Sequence, residues 1–238
     1  MSSSTAPRSL IGNRLLAALP SPEYQRLIPH LKSVALTTAE LLYEPGDQIH
    51  FIYFPVTAIV SLVSVTSDGA SIELGVIGNE GMVGLPILLG VDSTTFAATV
   101  LVSGHALRMK TEILKREFNR CGPLLNLLLR HTHAQVVQMS QSAVCNALHT
   151  VEERLCRWLL LTHDRVRTEE LQITHESLSN MIGTRRSSIT QAASKLKQRG
   201  LIEYHRGKIQ VVDRKGLESC ACECYGVVKQ EYERLHRK

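Results

Sequence analysis

Three groups of side chains in this 238-residue chain have types and spacings that suit chemistry. The first is Thr184, Arg185, Arg186, Ser187, Ser188, Gln191 and Lys195, followed a little later by Arg206 and Lys208. An arginine fork matches the two major-groove acceptors of guanine, and glutamine can pair with the donor and acceptor of adenine. Serine hydroxyls and lysines suit phosphates. The second group is Cys220, Cys222 and Cys224, three thiols at alternate positions. Thiols this close suit metal or cluster ligation, an oxidation switch, or simple burial. One metal usually takes four ligands. On a strand, alternate residues face opposite ways; on a helix, Cys220 and Cys224 share a face that Cys222 leaves. The third group is histidine. His131 and His133 point in different directions on a helix and cannot chelate one ion, while His30, His50 and His105 are scattered. No phosphate-binding glycine loop, nucleophile elbow or metalloprotease helix is present, so the chain is not expected to be an enzyme.

The basic group needs a helix to present it, and the sequence supplies two. Thr174 is placed to cap a helix over 175–182 whose apolar stripe is Leu178, Met181 and Ile182. Gly183 suits a left-handed corner, and Thr184 is placed to cap a second helix over 185–199, closed by Gly200. Ile189, Ala192, Ala193 and Leu196 give that helix an inward face and leave the polar group outward. Two short strands around Arg206-Gly207 then form a β-wing that sets His205, Arg206 and Lys208 against a sugar-phosphate backbone. The pattern is a winged helix-turn-helix for duplex DNA. Charge agrees with it. Residues 165–215 hold eleven basic and five acidic residues, a surplus of six, whereas the whole chain is +5 and the remainder therefore −1.

At these residues the stretch Ile173–Leu217 resembles the DNA-binding domain of the CRP/FNR superfamily of bacterial transcription regulators. Gly183, the basic turn after it and the Arg199–Ile202 lead into the wing carry the likeness. Arg186, Ser187 and Gln191 fall where that family reads bases with an arginine, a glutamate and a second arginine. Two of the three differ, so the half-site need not be the familiar one. The resemblance also implies RNA polymerase as a partner.

Short β-branched runs punctuated by glycine turns fill residues 31–109: 34–36, 41–43, 49–55, 58–66, 72–77 and 97–109. Their spacing predicts a β-roll or barrel. The resemblance extends here through Glu44–Asp47, Tyr53–Pro55 and Gly81–Gly84, landmarks of the cyclic-nucleotide-binding-like sensor domain. Where its nucleotide-binding members place a glutamate, an arginine and a serine, this chain has Leu85, Thr95 and Phe96. A cyclic phosphate would be buried without its cation, so cyclic AMP is not expected. Gly84, Leu85, Thr95 and Phe96 would instead border an apolar pocket, either open to a small apolar effector or filled and silent. Oxygen-sensing relatives place most cluster cysteines before the β-roll, and no cysteine here precedes Cys121. The candidate signals are therefore an iron–sulfur cluster or metal at the late cysteines, a haem, thiol oxidation, or a small organic effector.

From Pro123 a long helix carries Leu125, Leu129, Thr132, Val136, Met139 and Ala143 alternately four and three apart, the seam of a two-stranded coiled coil. It is longer than one small roll can cover, which predicts a homodimer reading a palindromic site. A helix from Val151 follows, with Leu155, Trp158, Leu159 and Thr162 on its core face. The expected class is α+β: a flexible tail over 1–12, a β-roll domain over 13–122, a dimerisation helix over 123–150, a winged helix-turn-helix over 151–217 and a cysteine-containing extension over 218–238. No apolar run approaches the ~18 residues of a membrane span, and residues 1–14 lack a signal-peptide core, so a cytoplasmic location is expected.

Overall fold

The computed structural model describes residues 12–166 and 170–236. The tail expected over 1–12 lies, apart from Gly12, outside the described residues. The buried Asn13 accepts the Leu16 N–H to cap α1 (Arg14–Ala17) and donates to the carbonyls of Pro55 and Gly81 at 2.8 and 2.9 Å. One side chain thus caps a helix and ties it to the domain behind it. Helix α2 (Ser21–Leu27) follows.

Seven strands come next: β1 (Lys32–Leu36), β2 (Leu41–Tyr43), β3 (Phe51–Pro55), β4 (Ile59–Val65), β5 (Ser71–Ile77), β6 (Ala97–Val102) and β7 (Gly104–Lys110). They pair antiparallel in two sheets, ordered β1-β7-β3 and β2-β6-β4-β5, around Ile52, Phe54, Ile59, Val60, Ile77 and Ala98. This is the expected β-roll. The run 97–109 is two strands, because the chain changes sheets at Ser103. A Cβ on Gly104 would stand 2.5 Å from the backbone nitrogen of Ala58, so only glycine passes there.

Helix α3 (Thr111–Phe118) leads to the long α4 (Pro123–Leu148), started by its proline. It stops two residues before the expected end. Thr150 accepts the Glu153 N–H while Glu153 accepts the Thr150 N–H, a capping box that begins α5 (Val151–His163). His149 and Thr150 are therefore the hinge between the two helices.

Beyond it lie β8 (Glu170–Gln172), α6 (His175–Ile182), α7 (Arg186–Gln198), β9 (Ile202–His205) and β10 (Lys208–Val211), with a third sheet ordered β8-β10-β9. The extension after the wing is helical, as α8 (Arg214–Cys220) and α9 (Cys224–His236). Val228, Tyr232 and Leu235 of α9 are buried, and the helix lies along α4 and against α5.

Polar contacts hold the late elements on the β-roll. Trp158 of α5 donates to Glu73 of β5 at 2.9 Å, and Ser61 of β4 donates to the same carboxylate at 2.6 Å. Arg165 pairs with Glu80 at 2.7 Å and donates to Gln138 of α4, which itself donates to the Val76 carbonyl at 3.1 Å. Tyr232 lays its ring beneath the Arg165 guanidinium. No helix among the described residues is long and apolar enough to cross a membrane.

Candidate nucleic-acid interface and a thiol cluster

Thr174 caps α6 as expected, accepting the Ser177 N–H at 3.0 Å, and Gly183 closes it with φ 66° and ψ 53°. Thr184 does not cap the next helix. Its N–H is spent on the Ser179 carbonyl, and Arg185 takes the cap position, with α7 beginning at Arg186. Ile189, Ala192, Ala193 and Leu196 are buried, and that fixes the opposite face outward. Arg185, Arg186, Ser187, Gln191 and Lys195 are exposed there, with Ser188 and Thr184 half-buried.

The wing is the tight hairpin that the Arg206-Gly207 pair predicts. Both residues have positive φ (47° and 79°), as a two-residue turn matching strand twist requires. His175 stacks on Tyr204 at 4.1 Å and so fixes the wing beside α6. The strand β8 on the wing's far side, pairing with β10, has no counterpart in the sequence reading.

Charge on this face is of two kinds. Lys208 pairs with Glu170 at 2.9 Å, and Lys195 lies 4.0 Å from Glu152. Exposed pairs of this kind contribute about 0–1 kcal/mol, so a phosphate can take either lysine over. Arg185 and Arg186 hold no ion pair among the described residues. Thr184, Arg185 and Ser188 also share a cleft with Thr66, Ala70, Ser71 and Ile72 of the β4–β5 hairpin. The start of α7 therefore faces the β-roll across a gap.

A β-roll, a long helix and a winged helix-turn-helix in this order have counterparts among known proteins. Residues 153–220 match the Crp-like helix-turn-helix domain, and residues 33–121 match the cyclic nucleotide-binding domain, in the same order along one chain. The chain belongs to the CRP/FNR family of transcription regulators. Among curated relatives, a global nitrogen regulator of Nostoc sp. (strain PCC 7120) is 24% identical over 180 residues, 71% of this chain and 80% of that protein. The transcriptional regulator SdrP of Thermus thermophilus is 26% identical, over 71% of this chain and 83% of its own. FixK2 from Bradyrhizobium japonicum has the same fold, with a TM-score of 0.68 at 15% identity, over 81% of this chain and 98% of that one. The family is one of transcription regulators, and this chain carries its helix-turn-helix DNA-binding domain.

In the sensor half, the four residues expected to border an apolar pocket differ in exposure. Leu85 opens a 3₁₀ turn (Leu85–Leu89) and is buried, Thr95 is exposed, and Phe96 lies half-buried on the core. Gly84 has φ 121° and lies against Ile52, whose Cδ1 would stand 2.4 Å from a Cβ placed there. The Leu85 side chain turns into the core.

Two of the histidines lie on α4. His131 is buried, and its Nε2 accepts the Met82 N–H at 3.2 Å. Burial pushes its pKa down to about 4, so it is neutral. His133 is exposed, 3.5 Å from Glu231 of α9.

The late cysteines separate. Cys220 ends α8, and its sulfur accepts from Arg199 at 2.8 Å. The segment is neither strand nor continuous helix. A break after α8 turns Cys222 and Cys224 to one side, where they meet Cys145 and His149 from the end of α4. Cys145 Sγ lies 3.5 Å from Cys222 Sγ, and Cys224 Sγ lies 3.7 Å from His149 Nδ1. All three thiols are buried. The hydrogen bond with Cys145 holds the Cys222 thiol below the ordinary thiol range, while the same bond and burial push Cys145 up. Sequence reasoning placed Cys145 on the long helix without a role. Its four-residue spacing to His149, one helical turn, was the available signal.

Proposed function

We propose that the protein is a cytoplasmic homodimer that binds a two-fold DNA site and regulates transcription by presenting it to RNA polymerase. The observation that carries this reading is the outward face of α7. Arg186, Ser187 and Gln191 stand exposed on its first turns, held there by a buried stripe on the opposite side. Arg186 takes a guanine, Gln191 and Ser187 take neighbouring base edges, and Thr184, Arg185, Ser188, Lys195, Arg206 and Lys208 take phosphates.

The dimer reading rests on α4. Its core side is filled by Leu124, Leu127, Leu128 and Ala134, yet Leu129 and Val136 remain 47% and 51% exposed in the single chain. Ala143 is exposed on the same stripe, and Leu125, Thr132 and Met139 are half-buried along it. An apolar stripe at alternate four- and three-residue spacing supports a partner helix of the same kind. The two reading heads would then contact half-sites about 10 base pairs apart. Any input that changes the angle at His149–Thr150 changes that spacing, whether it enters through the β-roll or through the thiols.

The test is selection of duplexes from a random library followed by anisotropy titration at several salt concentrations. The expected result is a two-fold motif and a steep loss of affinity with salt. Arg186→Ala should weaken the selected site by about 1–3 kcal/mol and relax preference at one base of each half-site. An unchanged preference in a folded dimer would refute the assignment of the reading helix.

A further inference from the structure

We propose that Cys145, His149, Cys222 and Cys224 form a binding site for one zinc ion, which clamps the C-terminal extension to the hinge between the two halves of the molecule. The four ligand atoms all lie within 4.8 Å of one another. Around one tetrahedral zinc, with bonds of about 2.3 Å to sulfur and 2.0–2.1 Å to nitrogen, neighbouring ligands stand about 3.5–3.8 Å apart. The sulfur–sulfur separation of 3.5 Å and the sulfur–nitrogen separation of 3.7 Å already have that size. An iron–sulfur cluster spreads its thiolates over separate irons, which sets them farther apart than the edge of one tetrahedron. The geometry thus favours a single ion, and a closed set of three thiolates and one imidazole is a structural zinc set.

Three further observations point the same way. His149 offers Nδ1 to the sulfurs while its Nε2 lies 3.3 Å from Glu223 Oε1. A carboxylate on the far ring nitrogen fixes the ring and raises its basicity, the usual support of a zinc-bound histidine. The ligands also come from two rigid sources. Cys145 and His149 sit one turn apart at the end of α4, and Cys222 and Cys224 flank the break between α8 and α9. Arg157 of α5, buried beside the cluster and bonded to Ser142, supplies positive charge. That charge offsets the net −1 left by three thiolates on a divalent cation. Binding releases the thiol protons to solvent and involves no electron transfer.

The consequence is mechanical. Helix α9 lies along α4 and puts Tyr232 under Arg165, the residue that ties the DNA-binding half to Glu80 of the β-roll. The ion fixes the start of α9 to the hinge itself.

The full-length dimer, stripped of metal by a chelator under reducing conditions, is titrated with Co²⁺ and then Zn²⁺. We expect one Co²⁺ per chain, with thiolate charge-transfer and tetrahedral ligand-field absorption, displaced by one equivalent of Zn²⁺. Cys220→Ser and Cys121→Ser should leave the spectrum intact, and Cys222→Ser should abolish it. Glu223→Gln retains all four ligands and the packing, and should weaken zinc affinity about 10–100-fold. Failure of the reduced dimer to take up stoichiometric cobalt would overturn the proposal. So would an octahedral cobalt spectrum, zinc affinity unaltered in Glu223→Gln, or a Cys145–Cys222 disulfide in protein isolated under reducing conditions.

Discussion

Glu73 is the place where a single proton acts on the contact between the two halves of the molecule. Its carboxylate is buried between β5 and α5, and burial pushes its pKa from 4.5 up to about 7. Hydrogen bonds from Ser61 and Trp158 and the charges of Arg157 and Arg165 pull the other way without cancelling the burial. The folded pKa lies above the unfolded one. Between about pH 4.5 and 7 the folded protein therefore holds a proton that the unfolded chain has lost, and stability falls as pH rises through this window. At about 1.4 kcal/mol per pH unit, the interval amounts to about 3 kcal/mol, fully lost above pH 7. Glu73→Gln removes the titration while keeping an acceptor for Trp158 and giving Ser61 a donor. The variant should match the parent near pH 5 and exceed it by up to about 3 kcal/mol at pH 8. In a chain of this length that is roughly 6–12 °C in melting temperature. Thermal melts at fixed protein concentration from pH 5 to 8 measure it. Equal slopes for parent and variant would show that Glu73 does not carry the pH dependence.

Two other substitutions test neighbouring contacts. Arg165 and Glu80 are both buried, and burial pushes the Glu80 carboxyl up while the Arg165 guanidinium more than reverses this and holds it below the ordinary value. Arg165→Met should cost about 3–5 kcal/mol by leaving that carboxylate unpaired, and Glu80→Gln in the same chain should restore most of it in urea unfolding. On α4, Leu129→Glu combined with Val136→Glu should yield folded monomers by sedimentation, with the steep cooperative DNA binding lost. A dimer that survives both charges would place the interface elsewhere.

How much of this was legible in the sequence depended on how local the signal was. Thr174, Gly183 and the Arg206-Gly207 turn each act through their own backbone geometry, so the helix-turn-helix and wing could be read within a residue or two. The β-roll was legible from turn spacing, although the run 97–109 hid a change of sheet enforced by Gly104 against Thr57 and Ala58. Contacts between distant segments were not legible. Trp158 reads as core packing, and nothing near it announces Glu73. The three late thiols invited attention as a group because they are adjacent. Pairing them by position alone retained Cys220 and missed Cys145 and His149, which a helix end brings in from 77 residues away. Helix α9 carried a fair signal in Cys224, Val228, Tyr232 and Leu235, three or four apart, which the cysteines overshadowed.

The docked arrangement has a consequence for DNA affinity that follows from the same proton. Thr184, Arg185 and Ser188 share a cleft with Ser71 and Ile72, and we propose that the reading helix moves off the β4–β5 hairpin when a major groove receives its first turn. The binding-competent state is then an opened one, and the apparent dissociation constant is the intrinsic one divided by the fraction open. On this proposal the hydrogen bond between Trp158 and Glu73, which joins α5 to β5, is one that opening breaks. A charged Glu73 is easier to expose than a neutral one, since water restores the solvation that burial denied it. If all of the roughly 3 kcal/mol falls on docking, deprotonation raises the open fraction by as much as about 100-fold. Affinity for the selected duplex should therefore rise between pH 5.5 and 8 relative to Glu73→Gln, which stays docked. Anisotropy titrations of both proteins at constant salt separate this from histidine titration at the DNA face, because the histidines are common to the two. A parent and variant with the same pH profile would mean that the Glu73 contact survives DNA binding and that the reading helix is reached without opening it.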